Sequence, residues 1–361
     1  MIFLDNNLSK RSKKTSKYLN SVNLDLDFFL EMVSYRRKQG SLYQKKFCNR
    51  YLLPVFGSPD RNGNYTLIIG DKPSVAFMAH HDTVHSKDGK VKPDIVGDFV
   101  VSSSNDVLGA DCTTGIFLIL RMIKAKVPGV YVVHSAEEIG CIGSRALVAD
   151  KPIWLNHVKA AISLDRKGYT SIITHQMGMR TCSEEFSKSL NNVLDGMFES
   201  DSGGSYTDSN EYSGVIPECT NLSVGYFDQH TKNESQDWVF MMALADMLVS
   251  ANWDNLVISR DPTVIEYDDT NTFGHNYYTG GKAKYKGPKS GYVWGDWSDI
   301  VDEKPYGQSK KHGLNMDRLE DIEEVVQKYP LQIAKLLLDM GYTADGLMDD
   351  VADYLNERTY Y

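Results

Sequence analysis

The sequence predicts an α/β protein: a mixed, mostly parallel central sheet flanked by helices, with a C-terminal helical appendage. Three observations carry that prediction. From residue 74 to 253, short apolar runs alternate with longer stretches whose apolar residues recur at helical spacing, the pattern of strands connected through helices. Several strand-like runs end in His, Asp or Glu, and open α/β sheets bind ligands at the carboxyl ends of their strands. Near Asn255 the alternation stops.

The elements follow in order. Residues 1–20 are a tail containing the basic, Ser-rich run "SKRSKKTSKY", expected to be a solvated surface. Residues 24–56 hold two helices interrupted at Gly40. "RNGNYTLIIG" has a turn signal at Asn62-Gly63 before an apolar run, the look of a hairpin. "SVAFMAHHD" is a short apolar strand, and "LGADCTTGIFLILRMIKAK" is a loop feeding an apolar helix. "GVYVVHSAEE" is a strand and "GSRALVAD" a short helix. "AAISLDRKG" and "TSIITHQMG" are strands. "SEEFSKSLNNVLDGM" puts Phe186, Leu190, Val193 and Leu194 on one helical face. "CTNLSVGYFDQHT" is a strand, and "ESQDWVFMMALADMLVSANW" a long helix. Residues 21–255 are thus expected to form the main α/β domain and 256–314 an irregular arm. Residues 315–361 would be three short amphipathic helices.

Bulk properties narrow the function. The 361 residues carry a formal net charge of −9, against a general nucleic-acid binder, which needs clustered Lys and Arg. No apolar run approaches the ~20 residues of a membrane span, and "MIFLDNNLSK" is too short in apolar residues for a signal-peptide core. Five cysteines, odd in number and without paired spacing, fit reduced thiols and a cytoplasmic location.

The chemistry lies at the strand ends. His80 and Asp82 follow "VAFMA", Glu137 and Glu138 follow "VYVVHSA", Asp165 follows "AISL", and His230 follows "LSVGYFDQ". Asp111 sits in the Gly-flanked turn "LGADCTTG". His, Asp and Glu without a Cys cluster favour zinc, with cobalt or manganese as alternatives. Five ligands exceed one tetrahedral ion and fit two ions about 3.5–4 Å apart that share a carboxylate. Strand alternation puts His80 and Asp82 on one side and His81 on the other; His85, further on, is expected at the cleft mouth.

Taken together, "AHHDTVH", "LGADCTTG", "SAEEIGCIGS", "SLD" and "GYFDQHTKNE" resemble the co-catalytic dizinc exopeptidases. That superfamily includes bacterial leucyl aminopeptidase, peptidase T-like tripeptidases and related deacylases. The resemblance spans roughly residues 25–250. It implies two zinc ions per chain, the first held by His80 and Asp165, the second by Glu138 and His230, with Asp111 bridging. It further implies Glu137 as general base for a metal-activated water, and Asp82 as the carboxylate orienting His80.

Plainer roles compete. Glu137 and Glu138 suit a helix N-terminus, Asp111 an N-cap and Asp165 a turn. Thr231 and Glu234 form a capping box, T-x-x-E, that would open the long helix and so position His230. His134 is the rival ligand but points away from Glu137, as a core histidine does. Two positions depart from the family pattern. Cys112 follows the bridging Asp where a second acid is frequent, either as a weak extra ligand or as a small buried filler. Arg166 follows Asp165, either to bind a substrate carboxylate or to pair with a neighbouring acid.

Only 64 residues separate Asp165 from His230. The tripeptidase and deacylase branch inserts a further domain there, so a compact aminopeptidase-like unit is expected, although "VLGADCT" leans back toward tripeptidases. The substrate is then a short peptide, with Asp208 as the carboxylate meeting its amino terminus and His175 lining the cleft. A deacylase of N-acyl amino acids is the alternative, and an inactive binding protein on a peptidase fold a second. A homo-oligomer formed through the C-terminal region is the expected partner; nucleic acid and membrane are not.

Overall fold

A computed structural model describes residues 17–266, with Val326 and Pro330 as isolated positions beyond them. The tail before residue 17, most of the expected arm and the C-terminal helices lie outside the described residues, as does any oligomer contact made through them.

A short helical stretch at residues 17–21, with Leu19 buried in the core rather than solvated as the tail was expected to be, leads into α1 (Leu26–Val33) and α2 (Leu42–Phe47), the latter running on through a π-turn, Cys48–Leu52, into α3 (Leu53–Phe56). Each of the first two begins where the sequence provides a cap: Asp25 accepts from Phe28 N–H and Ser41 from Gln44 N–H. There follow β1 (Tyr65–Ile69), β2 (Val75–His80), β3 (Pro93–Val96), β4 (Phe99–Ser102), α4 (Ala110–Lys124), β5 (Gly129–His134), α5 (Ile142–Ala149) and β6 (Ala160–Arg166). Then come β7 (Ser171–Ile173), β8 (His175–Gln176), β9 (Met179–Arg180), α6 (Glu184–Val193), β10 (Glu199–Asp201), β11 (Glu218–Ser223), β12 (Tyr226–Phe227), β13 (Ser235–Asp237) and α7 (Trp238–Ser250).

The main sheet has seven strands in the order β1-β5-β2-β6-β11-β7-β10. β5, β2, β6 and β11 are parallel neighbours, while β1 pairs antiparallel with β5 and β11 antiparallel with β7. The sheet is therefore mixed and mostly parallel, as expected. Alternate residues of the central strands enter two cores on opposite faces. Phe77, Tyr131, Val133, Ile162 and Leu164 pack with α4, α7 and α1, whereas Ala76, Met78, Val130, Val132 and Ala161 pack with Leu147, Trp154 and Tyr212. Helix α4 is buried along nearly its whole length. It approaches β6 so closely at Gly115 that an added Cβ would overlap the Leu164 carbonyl oxygen.

Three expectations are corrected. The run after Asn62-Gly63 forms no hairpin: β1 pairs across the sheet with β5. A four-stranded antiparallel sheet, β12-β13-β4-β3, was not anticipated. Its strand β13 occupies the first residues of the expected long helix, so α7 starts only at Trp238, where the Asp237 side chain accepts from Phe240 N–H at 2.9 Å. Thr231 and Glu234 therefore do not box that helix. Residues 256–266 are irregular but anchored: the buried Glu218 accepts from Ser259 N–H at 2.8 Å and Arg260 N–H at 2.9 Å, besides Ser183.

Candidate metal centre

The carboxyl ends of β2, β5 and β6 lie side by side, and each run of apolar residues stops where the chain leaves the core. His80 ends β2, and Asp165 is the second-last residue of β6. Glu137 and Glu138 follow β5 in a turn, and Asp111 precedes the regular part of α4. The sequence brings a bend at Asp111: Gly109, at φ 82°, opens the turn, and Asp111 and Cys112 have non-helical backbones joined by a cis peptide bond. Both Asp111 oxygens turn to imidazoles rather than to the amides of α4.

Asp111 is the centre of the constellation. Its Oδ1 lies 3.1 Å from His80 Nε2 and its Oδ2 lies 3.1 Å from His230 Nε2. On one side, His80 Nε2 also has Asp165 Oδ1 at 3.5 Å and Glu137 Oε2 at 3.8 Å. On the other, His230 Nε2 has Glu138 Oε2 at 3.1 Å. His230 sits in a turn at φ 63° rather than at a strand end. Two triads, His80–Asp111–Glu138 and His80–Cys112–Asp165, offer donor atoms within 4.8 Å of one another.

The surroundings hold these groups in place. Asp82 accepts from the amides of both Glu137 and Glu138 at 3.1 Å. His80 Nδ1 lies 3.1 Å from the Asp82 backbone oxygen and 3.5 Å from its carboxylate. The orienting group nearest His80 is therefore the main chain of Asp82, while its side chain fixes the two glutamates. Asp165 is held by the Thr207 hydroxyl at 3.0 Å, and its backbone oxygen accepts from Tyr226 at 2.8 Å and Asn221 Nδ2 at 3.0 Å.

Glu234 is a residue that motif spacing assigned wrongly. It is buried, and its two oxygens accept from Gly109 N–H at 2.7 Å and Asp111 N–H at 3.0 Å. Its nearness in sequence to His230 was the available signal.

Electrostatics shows a site short of positive charge. Burial pushes the Glu137 carboxyl well up, and Asp165, Glu138 and Asp208 push in the same direction. Burial and Asp111 raise Glu138 to about 7 and Asp165 to about 6. Burial works against protonated His230, yet its hydrogen bonds to Asp111 and Glu138 lift it to about 11. Burial likewise opposes a charged His80, and Asp165, Glu137 and Asp111 override it. Two imidazoles do not neutralise this many buried acids. Glu138 Oε1 is buried with no partner, an open donor in the middle of the acids. Oxygen and imidazole donors with an unpaired carboxylate oxygen fit a divalent cation such as zinc.

Other predicted residues are placed differently. Asp208 is 1% exposed, with Oδ2 3.2 Å from His134 Nδ1. His175 is 4% exposed, with Nδ1 2.9 Å from Thr174 Oγ1. Asp208 and His175 are thus packed against neighbouring side chains rather than standing free in a cleft. Arg166 takes the second of its two readings, with Nη2 3.4 Å from Asp201 Oδ2 and 3.1 Å from the Gly203 oxygen. His134 is a core residue, 2.8 Å from the Tyr212 hydroxyl. His85 is buried too, between Thr83 Oγ1 at 2.7 Å and the Val107 oxygen at 2.9 Å, and does not reach a cleft mouth. His81 bridges Gln44 and Gly63. Cys112 is buried, with Sγ 3.4 Å from the Leu164 oxygen; all five cysteines are free.

Residues 64–214 match the model of peptidase family M28, so the resemblance to co-catalytic zinc exopeptidases is borne out over those residues. A tripeptidase from Staphylococcus aureus subsp. aureus Mu50 superimposes with a TM-score of 0.51 at 14% identity, over 62% of this chain and 96% of its own, and shares the fold. The aminopeptidase PepT from Bacillus cereus ATCC 10987 gives a TM-score of 0.49 at 16% identity, over 62% and 96%. The TET1 peptidase of Pyrococcus horikoshii gives 0.45 at 13% identity, over 61% and 96%. No curated protein matches the sequence. Among the described residues, no helix is long and apolar enough to cross a membrane.

Proposed function

We propose that this protein is a dizinc exopeptidase that removes residues from short peptides, most simply as an aminopeptidase. The observation that carries the proposal is Asp111, whose two oxygens face two different histidines at 3.1 Å each, the disposition a bridging carboxylate requires. His80 and Asp165 would hold one zinc ion with Asp111, and Glu138 and His230 the other. When bound, zinc supplies the positive charge that polarises a peptide carbonyl and eases deprotonation of a water.

The chain's own residues do the rest. Glu137 shares the His80 side of the site, where its carboxylate is placed to accept a proton. It takes the proton of the attacking water as the new C–O bond forms. It returns that proton to the leaving amine as the C–N bond breaks. Asp82 keeps Glu137 and Glu138 at fixed positions through their amides, so that one serves as base while its neighbour serves as ligand.

Asp208, the carboxylate expected to receive a free amino terminus, is packed against His134 at 3.2 Å. That observation favours a second reading with the same chemistry, an amidohydrolase acting on N-acyl amino acids. Zinc-loaded protein assayed on aminoacyl amides, tripeptides and N-acyl amino acids, with Glu137→Ala as control, separates the two. Cleavage of free-amine substrates supports the aminopeptidase, and cleavage confined to blocked substrates rejects it.

A further inference from the structure

We infer that Arg37 is a positioning residue of the metal centre: it ties the backbone just after His80 to the helix start just after Asp111. The inference rests on the metal-centre reading above. It extends the site to a segment that lies before the family-matching residues 64–214.

Arg37 lies in the chain between α1 and α2 and is 0% exposed. Its backbone pairs with the loop that follows His80: Arg37 N–H donates to Thr83 Oγ1 at 3.0 Å, and Thr83 N–H donates to the Arg37 oxygen at 3.0 Å. The guanidinium then spans the gap between two ligand-bearing segments. Nε donates to the His81 oxygen at 2.9 Å and Nη2 to Thr113 Oγ1 at 2.7 Å, while the group lies over the Phe47 ring at 4.3 Å from its centroid. His81 is the residue after His80, and Thr113 is two residues after Asp111. The Thr113 hydroxyl passes the connection on to the Gly109 oxygen, in the turn that Glu234 grips from the other side.

A buried cation is costly to keep, and the single contact with Phe47 does not account for it. The guanidinium bonds to a carbonyl and a hydroxyl rather than to a carboxylate. Its Nη1 has no partner. The acids whose charge acts on it include Asp82 and Glu234, the two that hold the amides of Glu137, Glu138, Gly109 and Asp111. The planar fork reaches two acceptors in fixed directions, which the point charge of a lysine does not. The geometry therefore suits holding His80 and Asp111 at a set separation.

The test is a competition for zinc between the stripped, full-length protein and a chromophoric chelator. It compares wild type with Arg37→Met, Arg37→Lys, Thr113→Val and Arg50→Met. Arg50 belongs to the same segment but pairs with Glu31 at the surface. The expected result is zinc affinity lowered about 10–100-fold in Arg37→Met. Arg37→Lys and Thr113→Val should be lowered in the same direction, and Arg50→Met should match wild type. Thr113→Val decides the matter if Arg37→Met does not fold. Wild-type affinity in Arg37→Met, or in Thr113→Val when that variant stands in, overturns the inference and leaves the metal centre intact. An equal loss in Arg50→Met overturns it as well, by showing a general weakening of the segment. Wild-type protein that takes up no zinc defeats the metal centre itself, and the inference with it.

Discussion

At the scale of single residues, the donors of the proposed metal centre stand out in the sequence because each terminates a hydrophobic run or follows a glycine-flanked turn, where a polar side chain has no reason to enter the core. Glu137 is the sharpest case. Changing it to Gln should leave zinc content unchanged and lower turnover by about 10²–10⁴-fold, as steady-state assays beside metal analysis would show. Burial was not legible. Asp208 and His175 look like cleft residues in the sequence, and only the neighbouring elements decide that they face inward. His85 gives a residue-level pH prediction. Burial lowers it to about 4, below the ordinary value near 6.5, so the unfolded chain binds its proton first as pH falls. Its contribution to stability is present above about pH 6.5 and is lost as pH falls toward 4, amounting to about 3 kcal/mol. Denaturant unfolding of the metal-free protein between pH 7 and 4.5 should show a shallower loss in His85→Gln; identical slopes would refute the assignment.

At the scale of elements, the strands and helices of the main sheet followed from their periodicity, and the second sheet did not. β3 exposes Ile95 and Val96, so it lacks the alternation that marks a half-buried strand, although Gly97-Asp98 between β3 and β4 is a recognisable hairpin turn. The start of α7 was misplaced for a related reason. The T-x-x-E pattern has the look of a cap, but Glu234 is drawn across to the turn before α4. Glu234→Gln offers one acceptor oxygen where two amides need one each. Leaving one buried N–H unpaired should cost about 1–3 kcal/mol, measurable by denaturant unfolding. The contact between α4 and β6 predicts a further loss. Gly115→Ala puts a methyl group against the Leu164 carbonyl and should destabilise by about 1–3 kcal/mol. A neutral Gly115→Ala would mean that the helix stands further from the sheet than described.

At the scale of the whole molecule, the fold gathers acids from strand ends that are far apart in sequence and buries them with too few cations, so a divalent metal should be part of the stable protein. Binding to the folded state alone stabilises by about 2.7 kcal/mol when free metal stands at a hundred times its Kd. Chelation should therefore lower Tm, and added zinc should restore it. The spacing and order of the motifs suggest the proposed centre in the amino-acid sequence alone. The clamp from α1 and α2 is invisible there, because Arg37 is one arginine in "SYRRKQG" until the fold brings it beneath His80. The central claim, that Asp111 joins two metal sites served by Glu137, is tested most directly by metal analysis of zinc-reconstituted protein alongside hydrolysis of short peptides. Two zinc ions per chain are expected in both wild type and Glu137→Gln, with peptide cleavage in the wild type alone. One ion or none per chain, or undiminished cleavage by Glu137→Gln, would contradict it.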